Sequence, residues 1–471
     1  MTAGVPDDVL DRLRQAVGPK GWTSDPDDLA PHLKEWRGMY FGTTPILVSP
    51  ASTTEVADVV RICHETGTAI VPQGGNTGMC GGAVPDQSGG EIVLSLARMN
   101  KIRAIDPLNY TITVDAGCVL VDVQEAARGA GRLFPLSLAA EGSCLIGGNL
   151  STNAGGVNVL KYGTARELAL GLEVVLPDGR IWDGMTGLRK DTAGYDLKQM
   201  FIGAEGTLGV ITGAVLKLFP LPKSRLTLFV AIRDPEAAVA LLADLRDRTG
   251  DRVAAFEIVP RDALEMVLRH IPGTSDPLSE AHEWYALVEI ASPDAEISQD
   301  AGDLLETAFD EGLVLDAATA SNESQREALW KLRESISEAE RAEGASIKHD
   351  VSVPVSDMPA FMEKARKAVE DVLPDIRVIA FGHIGDGNVH FNLCQPKGAD
   401  GQAFVKRWEE FNRIVHDVVI AFHGSISAEH GVGQMKRDEL AHYKSGVHVD
   451  LMRAIKRALD PKGIMNPGKV L

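Results

Sequence analysis

The sequence predicts an α+β protein of two or more domains, on three observations. The chain has 471 residues, long for a single core at roughly 150 residues per domain. Its first half gathers glycines at the ends of short apolar, strand-like runs. Its second half alternates further strand-like runs with amphipathic, helical stretches, which reads as a mostly antiparallel sheet with helices on one face.

Charge and cysteine usage exclude several classes. With 66 acidic against 47 basic residues the formal charge is −19, so neither nucleic acid nor an anionic membrane is an expected partner. An anionic substrate would have to find a local cluster of cations. Cys63, Cys80, Cys118, Cys144 and Cys394 form no CxxC pair, which excludes a zinc ribbon and disfavours a disulfide scaffold. The opening MTAGVPDDVLDRLRQAV is acidic and amphipathic, without the basic and apolar regions of a secretory signal. No apolar run approaches the roughly 20 residues of a membrane span. The expectation is a cytoplasmic, globular protein.

Of 47 glycines, 25 fall between Gly74 and Gly213, concentrated in VPQGGNTGMCGG (71–82), EGSCLIGGNLSTNAGG (141–156) and GAEGTLG (203–209). Turns alone would scatter them more evenly. Clusters at strand ends bare backbone N–H groups that can form nests for a phosphate. No GxxxxGK[ST] string is present, and no GxGxxG follows an early strand, so a phosphate-bearing ligand would be held by neither standard loop.

These strings carry a resemblance. Residues 45–222 resemble the flavin domain of the vanillyl-alcohol oxidase / p-cresol methylhydroxylase superfamily. VPQGGNTG (71–78) is similar to its pyrophosphate loop, residues 133–163 to its isoalloxazine and pyrophosphate wall, and FIGAEGTLGVIT (201–212) to the segment that closes over the flavin. The resemblance implies a two-part FAD-binding domain with contacts at Pro72, Gly74, Gly75, Asn76, Thr77, Gly78, Gly142, Ser143, Gly147, Gly148, Asn149, Ser151, Asn153, Gly155, Gly206 and Val210. For Val210, and for Ile146, a core position is as good a reading as a flavin contact. Relatives with covalent FAD often carry histidine in the first loop; Asn76 here implies non-covalent FAD. In the tail LDPKGIMNPGKVL (459–471), whose prolines and glycines exclude a helix, Asn466 matches an asparagine that reaches back towards the flavin. The segment EWRGMYFGTTP (35–45) also resembles the family, without a role for Trp36 or Arg37. The implied division is an N-terminal segment 1–44, an FAD-binding domain 45–222, an antiparallel-sheet α+β substrate domain 223–425 and a returning segment 426–471.

Within the substrate domain the string IRVIAFGHIGDGNVHFNLC (376–394) is the most informative. Asp386-Gly387 between apolar runs predicts a two-residue type I′ hairpin. That turn pairs His383 with His390, Cβ atoms about 5 Å apart, and puts Asn392 on their face while Ile384 and Val389 point away. Two facing histidines suit zinc or another divalent ion, although such a pair also arises by coincidence. ISAEHGVGQMKR (426–437) offers Glu429 as a third ligand, and three ligands with an open position are the pattern of a catalytic metal. The match to the D-2-hydroxyglutarate dehydrogenase pattern HxGDGNxHxN with a later EHGxG favours metal on His383, His390 and Glu429.

In SNESQREALWKLRESISEAERA, Arg333 and Ser337 stand four apart on one predicted helix. By default such an arginine makes a solvated salt bridge. Lys348 lies in the alternating run SIKHDVSVPV, sharing a face with Ser346 and Asp350. The resemblance implies that Arg333, Ser337 and Lys348 receive a substrate carboxylate; the family more often has threonine at position 337, and serine keeps the hydroxyl.

Together these imply FAD-dependent oxidation of a D-2-hydroxy acid, D-2-hydroxyglutarate going to 2-oxoglutarate. His430 is the expected general base, its ordinary pKa being suited to proton transfer near neutrality. Asn392 steadies the carboxylate beside the hydroxyl. Arg333 with Lys348 favours a diacid, since a small monoacid would leave two cations without a partner. D-lactate and D-malate enzymes share the architecture. A metal-dependent hydrolase, with the glycines serving only as turns, and a flavin-binding subunit of a larger redox complex also fit parts of the sequence. The electron acceptor, an electron-transfer flavoprotein or a quinone, is unspecified, and a homodimer is the general expectation for a soluble enzyme.

Overall fold

The computed structural model describes residues 4–293 and 301–471. The chain divides into two compact units. Unit one takes the chain up to Gly156 together with Gly163–Leu221 and Glu429–Leu471; unit two takes Val157–Tyr162 and Pro222–Ala428.

Unit one has two sheets. The first runs in the order Trp22–Thr23, Leu47–Val48, Glu91–Ser95, Ala69–Gln73, the last three strands parallel. Parallel neighbours need a crossover, and helix Thr53–Thr66 is part of it. Ser52 caps its start by accepting from Glu55 N at 3.2 Å, Gly67 ends it with a φ of 72°, and Val56, Val59, Val60 and Cys63 bury one face. The next strand, Ala69–Gln73, delivers the chain into the first glycine run. The second sheet is antiparallel, in the order Ile102–Asp106, Thr111–Asp115, Val210–Lys217, Ala169–Val175, Ile181–Gly184.

The C-terminal tail is not helical after Leu459. It lies alongside Ala69–Gln73, with Ile70 N donating to Ile464 O and Asn466 N to Ile70 O, both at 2.8 Å. Buried Asp460 fixes this docking by accepting from Ile464 N (3.1 Å), Met465 N (2.9 Å) and Lys456 Nζ (2.6 Å).

In unit two the four strand-like runs become Ser224–Ile232, Val253–Pro260, Trp284–Ser292 and Val314–Thr319. They form one antiparallel sheet with the second and third adjacent, then the first, then the fourth. Helices cover both faces, not one. Leu226, Leu228 and Val230 pack with Leu241 and Leu245 of helix Pro235–Thr249. Phe229 and Ala231 pack on the opposite side with Leu264 and Val267 of helix Arg261–His270 and with Trp330. Burial on both faces explains why WYALV (284–288) is continuously apolar and does not alternate.

A smaller sheet centres on Asn388–Cys394, flanked by Arg377–Phe381 and by Ser346–Ile347 with Asp350–Ser352. The predicted hairpin register is wrong here: His390 pairs with Phe381, not with His383. The cause is Gly382, whose backbone N–H and C=O bond Ile258 of the larger sheet at 3.0 and 2.8 Å. Ladder pairing therefore stops at Phe381. The chain then makes a single 3-10 turn over Ile384–Asp386, closed by Gly387 with a φ of 83°. Ile384 and Val389 do point into the core.

Gly387 has two reasons to be glycine: its left-handed backbone, and Val353 O only 2.3 Å from where a Cβ would stand. Gly387→Ala is expected to cost about 1–3 kcal/mol from backbone strain alone, with the clash adding to it. Thermal melting of the purified variant checks this; an unchanged midpoint would contradict it.

Candidate functional site

In unit one the glycine runs converge on a cleft with about 860 Å³ of empty space, part of it open to solvent. Pro72, Gly74, Gly75, Asn76, Thr77, Gly78, Gly147, Gly148, Asn149, Ser151, Gly206 and Val210 line it, all expected from the sequence. Val210 is both buried and in the lining, whereas Ile146 is core only. Gly142, Ser143, Asn153, Gly155 and Asn466 do not line it. Asn153 Oδ1 instead accepts from Thr164 Oγ1 at 2.9 Å and Arg166 N at 3.0 Å. The Ser143 carbonyl sits 2.2 Å from where a Gly75 Cβ would be.

The glycines fall into two kinds. Gly75 and Gly147 are required by the protein itself, since added Cβ atoms would meet Ser143 O at 2.2 Å and the Ala116 Cβ at 2.8 Å. Gly78 and Gly148 line the cleft with nothing within 4 Å of an added Cβ and no positive φ. The protein's own packing does not account for glycine at these two positions; close approach of a ligand would. A cofactor bearing phosphates fits this cradle.

Two further features mark the cleft. Glu205 lines it with a φ of 51°, and its carboxylate accepts from Val432 N at 2.7 Å and Gly433 N at 2.8 Å. Burial pushes this carboxyl up, against the pull of those two N–H groups. The clasp pins the loop that follows His430, and His430 is itself part of the lining. Residues 429–433 form neither helix nor strand, and Gly431 and Gly433 have φ of 75° and 54°, so neighbouring Glu429 and His430 are not bound by strand alternation. Glu429 Oε2 accepts from Gly156 N at 3.1 Å. Asn466 Nδ2 donates to Gly82 O (2.9 Å) and Glu205 O (2.7 Å), while its Oδ1 is buried without a hydrogen-bond partner among the described residues.

Unit two carries the other polar residues. The rings of His383 and His390 are 5.6 Å apart between centroids, so the histidines are neighbours despite the shifted register. The Ile258–Gly382 bridge sets Glu257 beside His383: Glu257 Oε1 lies 2.5 Å from His383 Nδ1, and Arg333 Nε donates to Glu257 Oε2 at 2.6 Å. Burial alone would raise the Glu257 carboxyl, but Arg333 and His383 hold it well below the usual carboxylate range. Arg333 also stacks over Phe381 at 4.9 Å. Asp350 pairs directly with His390 across the strands, an oxygen donor beside the imidazoles. A histidine pair with a carboxylate orienting one ring is the chemistry of a divalent-metal site; within unit two, His390 and Asp350 offer ligand atoms within 4.8 Å of each other, and His383 lies beside His390. The ligands read from the sequence are divided by unit: His383 and His390 belong to unit two, Glu429 to unit one.

Lys348 Nζ and Asn392 Nδ2 both reach Glu340 Oε2, at 3.5 and 2.7 Å. Arg333 and Ser337 are not on one helix. Helix Glu323–Glu334 ends at Ser335 and a second, Ile336–Ala342, begins; Arg333 is buried while Ser337 is exposed. The expectation that a monoacid would leave two cations unpaired also fails, because Glu257 and Glu340 already partner Arg333 and Lys348. Glu205, Glu257 and Glu340 were missed by sequence reasoning. One signal was available for Glu257: an acidic residue inside the apolar run VAAFEIV must be paired if it is buried.

Residues 221–470 match the family model described as FAD linked oxidases, C-terminal domain, and residues 44–184 match that described as FAD binding domain. The chain is 39% identical over 469 residues to a probable mitochondrial D-2-hydroxyglutarate dehydrogenase of Oryza sativa subsp. indica, covering 98% of this chain and 82% of that protein. It is 38% identical over 458 residues to D-2-hydroxyglutarate dehydrogenase of Xanthomonas citri pv. viticola, covering 97% and 96%. The mitochondrial D-2-hydroxyglutarate dehydrogenase of Bos taurus is 39% identical over 469 residues, covering 99% and 84%. Among solved structures, p-cresol methylhydroxylase with substrate bound superposes with a TM-score of 0.78 at 20% identity, covering 98% of this chain and 96% of that one; at this identity the likeness shows the fold alone.

Gly148 lies within helix Ile146–Ser151, where alanine is favoured over glycine by about 1 kcal/mol. Gly148→Ala is expected to leave the protein as stable or more so, yet weaken FAD retention by about tenfold, which corresponds to about 1.4 kcal/mol. Flavin-to-protein absorbance ratio and thermal melting, measured together, check the split.

Proposed function

The chain belongs to the FAD-linked oxidases, and from that premise we propose that it oxidises D-2-hydroxyglutarate to 2-oxoglutarate. The observation that carries the reading is in unit two, where Arg333, Lys348 and Asn392, groups suited to a carboxylate, are each oriented by a buried glutamate. The names of relatives similar across nearly the whole chain support it.

Bound FAD would supply the two-electron acceptor for the hydride leaving C2. A divalent ion, zinc in this reading, held by His383, His390 and Glu429, would supply Lewis acidity towards the substrate hydroxyl. The remaining work falls to side chains. Arg333 spends Nε on Glu257 and turns its Nη groups to the distal carboxylate, where two parallel N–H bonds are available. Lys348 and Ser337 add donors to the same group, and Asn392 steadies the carboxylate next to C2. His430, in the lining of the flavin cleft, takes the hydroxyl proton. Electrons then pass to an external acceptor, an electron-transfer flavoprotein or a quinone, and the same reading includes a homodimer.

Cytoplasmic residence belongs to this reading as well. It is supported by the thiols: none of the five cysteines forms a disulfide, as expected in a reducing compartment. Two of the relatives named above are called mitochondrial. Among the described residues no helix is long and apolar enough to cross a membrane.

The test is an anaerobic spectrum of the purified flavoprotein before and after each candidate acid. D-2-hydroxyglutarate is expected to bleach the flavin band near about 450 nm. D-lactate and D-malate belong in the same experiment because Arg333 and Lys348 are already charge-compensated; bleaching by either and not by D-2-hydroxyglutarate overturns the substrate.

His430→Asn is expected to keep its flavin and lose about 10²-fold or more in kcat. Steady-state turnover with the flavin content measured alongside checks this, and undiminished turnover would remove His430 from the role of base.

A further inference from the structure

We propose that Glu257 is a positioning residue that sets the metal-ligand histidine His383 and the carboxylate receptor Arg333 with its two oxygens, so that one buried side chain governs both metal affinity and substrate affinity. The inference rests on the reading of His383 and Arg333 given above. Glu257 adds to that reading a residue that touches neither the metal nor the substrate.

Four observations lead to it. The Glu257 side chain is 1% exposed, and each oxygen has its own partner, at 2.5 Å from His383 Nδ1 and 2.6 Å from Arg333 Nε. The bond to Nδ1 fixes the His383 tautomer and ring plane, so that Nε2 is the nitrogen directed to a metal; such carboxylate–histidine pairs raise ligand basicity. The bond to Nε, with Phe381 under the guanidinium face, holds the fork in one orientation and turns its Nη edge away from Glu257. Among the described residues neither Nη group is bonded to a protein acceptor. Finally, Glu257 is placed by backbone and not by side-chain packing alone: Ile258, the next residue, exchanges both hydrogen bonds with Gly382, the residue before His383.

A carboxylate can accept from both donors at once. Glutamine keeps the size but offers one acceptor oxygen and turns an N–H₂ towards one of the two partners. Aspartate keeps the charge but is one methylene short, so it cannot span both. The two substitutions therefore separate charge from reach.

The experiment uses the FAD-loaded full chain with zinc as probe metal. Zinc affinity is measured by competition with a chelator, and KM and kcat for D-2-hydroxyglutarate are measured at saturating zinc. Glu257→Gln is expected to weaken zinc binding by about 10–100-fold and to raise KM by about tenfold or more, with flavin content unchanged. If Glu257→Gln does not fold, Glu257→Asp decides, with losses in the same two quantities expected. Wild-type zinc affinity together with wild-type KM in whichever variant folds overturns the proposal. His383→Asn serves as the reference: if it loses zinc while the Glu257 variant keeps both quantities, the proposal fails and the metal reading stands. If His383→Asn binds zinc like wild type, the metal reading itself fails.

Discussion

A carboxylate taken out of water needs partners if it is to stay charged, and in unit two the most fully partnered case is Glu257, with one partner on each oxygen. Removing either partner would strand a buried charge, at a cost of about 3–5 kcal/mol in comparable cases. Arg333 and His383 come from a helix and a loop that are far apart in sequence, yet both must close on the same strand residue. Other buried glutamates are partnered less evenly: Glu289 Oε2 accepts from Arg326 Nε at 2.7 Å and Trp330 Nε1 at 3.0 Å, Glu340 Oε2 collects both Lys348 and Asn392 while its Oε1 has no hydrogen-bond partner among the described residues, and in unit one each oxygen of Glu205 accepts from a backbone N–H. Polar residues with chemistry to perform are thereby held in single orientations, because alternatives would leave a buried charge uncompensated.

This pairing changes how substrate selectivity is understood. Counting Arg333 and Lys348 as two uncompensated positive charges makes a dianion the natural ligand. With Glu257 and Glu340 included, the local charge is close to balanced, and attraction by net charge is weak. What remains is direction: the Nη edge of Arg333, the ammonium of Lys348 and the amide of Asn392 are donors at fixed positions. Fixed donors discriminate by leaving an unmet hydrogen bond when the matching acceptor is absent. On the proposed reading a diacid would be preferred because it satisfies donors, with the preference carried by geometry that the buried glutamates maintain.

Much of the fold was legible because strands and glycine runs leave local signatures. The runs RLTLFVAI, VAAFEIV, WYALVEI and GLVLDAATA each became a strand, and the glycine runs marked the cleft. The failures share a cause. Local turn preference alone predicts a hairpin at Asp386-Gly387, and the register differs because Gly382 bonds Ile258, a partner more than 120 residues away in sequence. Helices on both sheet faces could have been inferred from the lack of alternation in WYALV. The break at Ser335 has no such warning, since Ser335 stays in the right-handed helical region with ψ near −4°. Glu257 was visible only as an acidic residue in an apolar run; its partners could not be read from sequence.

The glycines of the flavin cleft show how a ligand leaves its mark on a chain. Gly75 and Gly147 would be glycine whether or not anything ever bound, because neighbouring atoms occupy the space of a Cβ. Gly78 and Gly148 meet no such neighbour, and Gly148 even sits in a helix that alanine would favour. Glycine there costs folding free energy without any return inside the protein. Close approach of a cofactor to the backbone would supply that return. Runs such as VPQGGNTG therefore mix two requirements that sequence alone cannot separate, and the structure separates them residue by residue, by asking what a Cβ would touch.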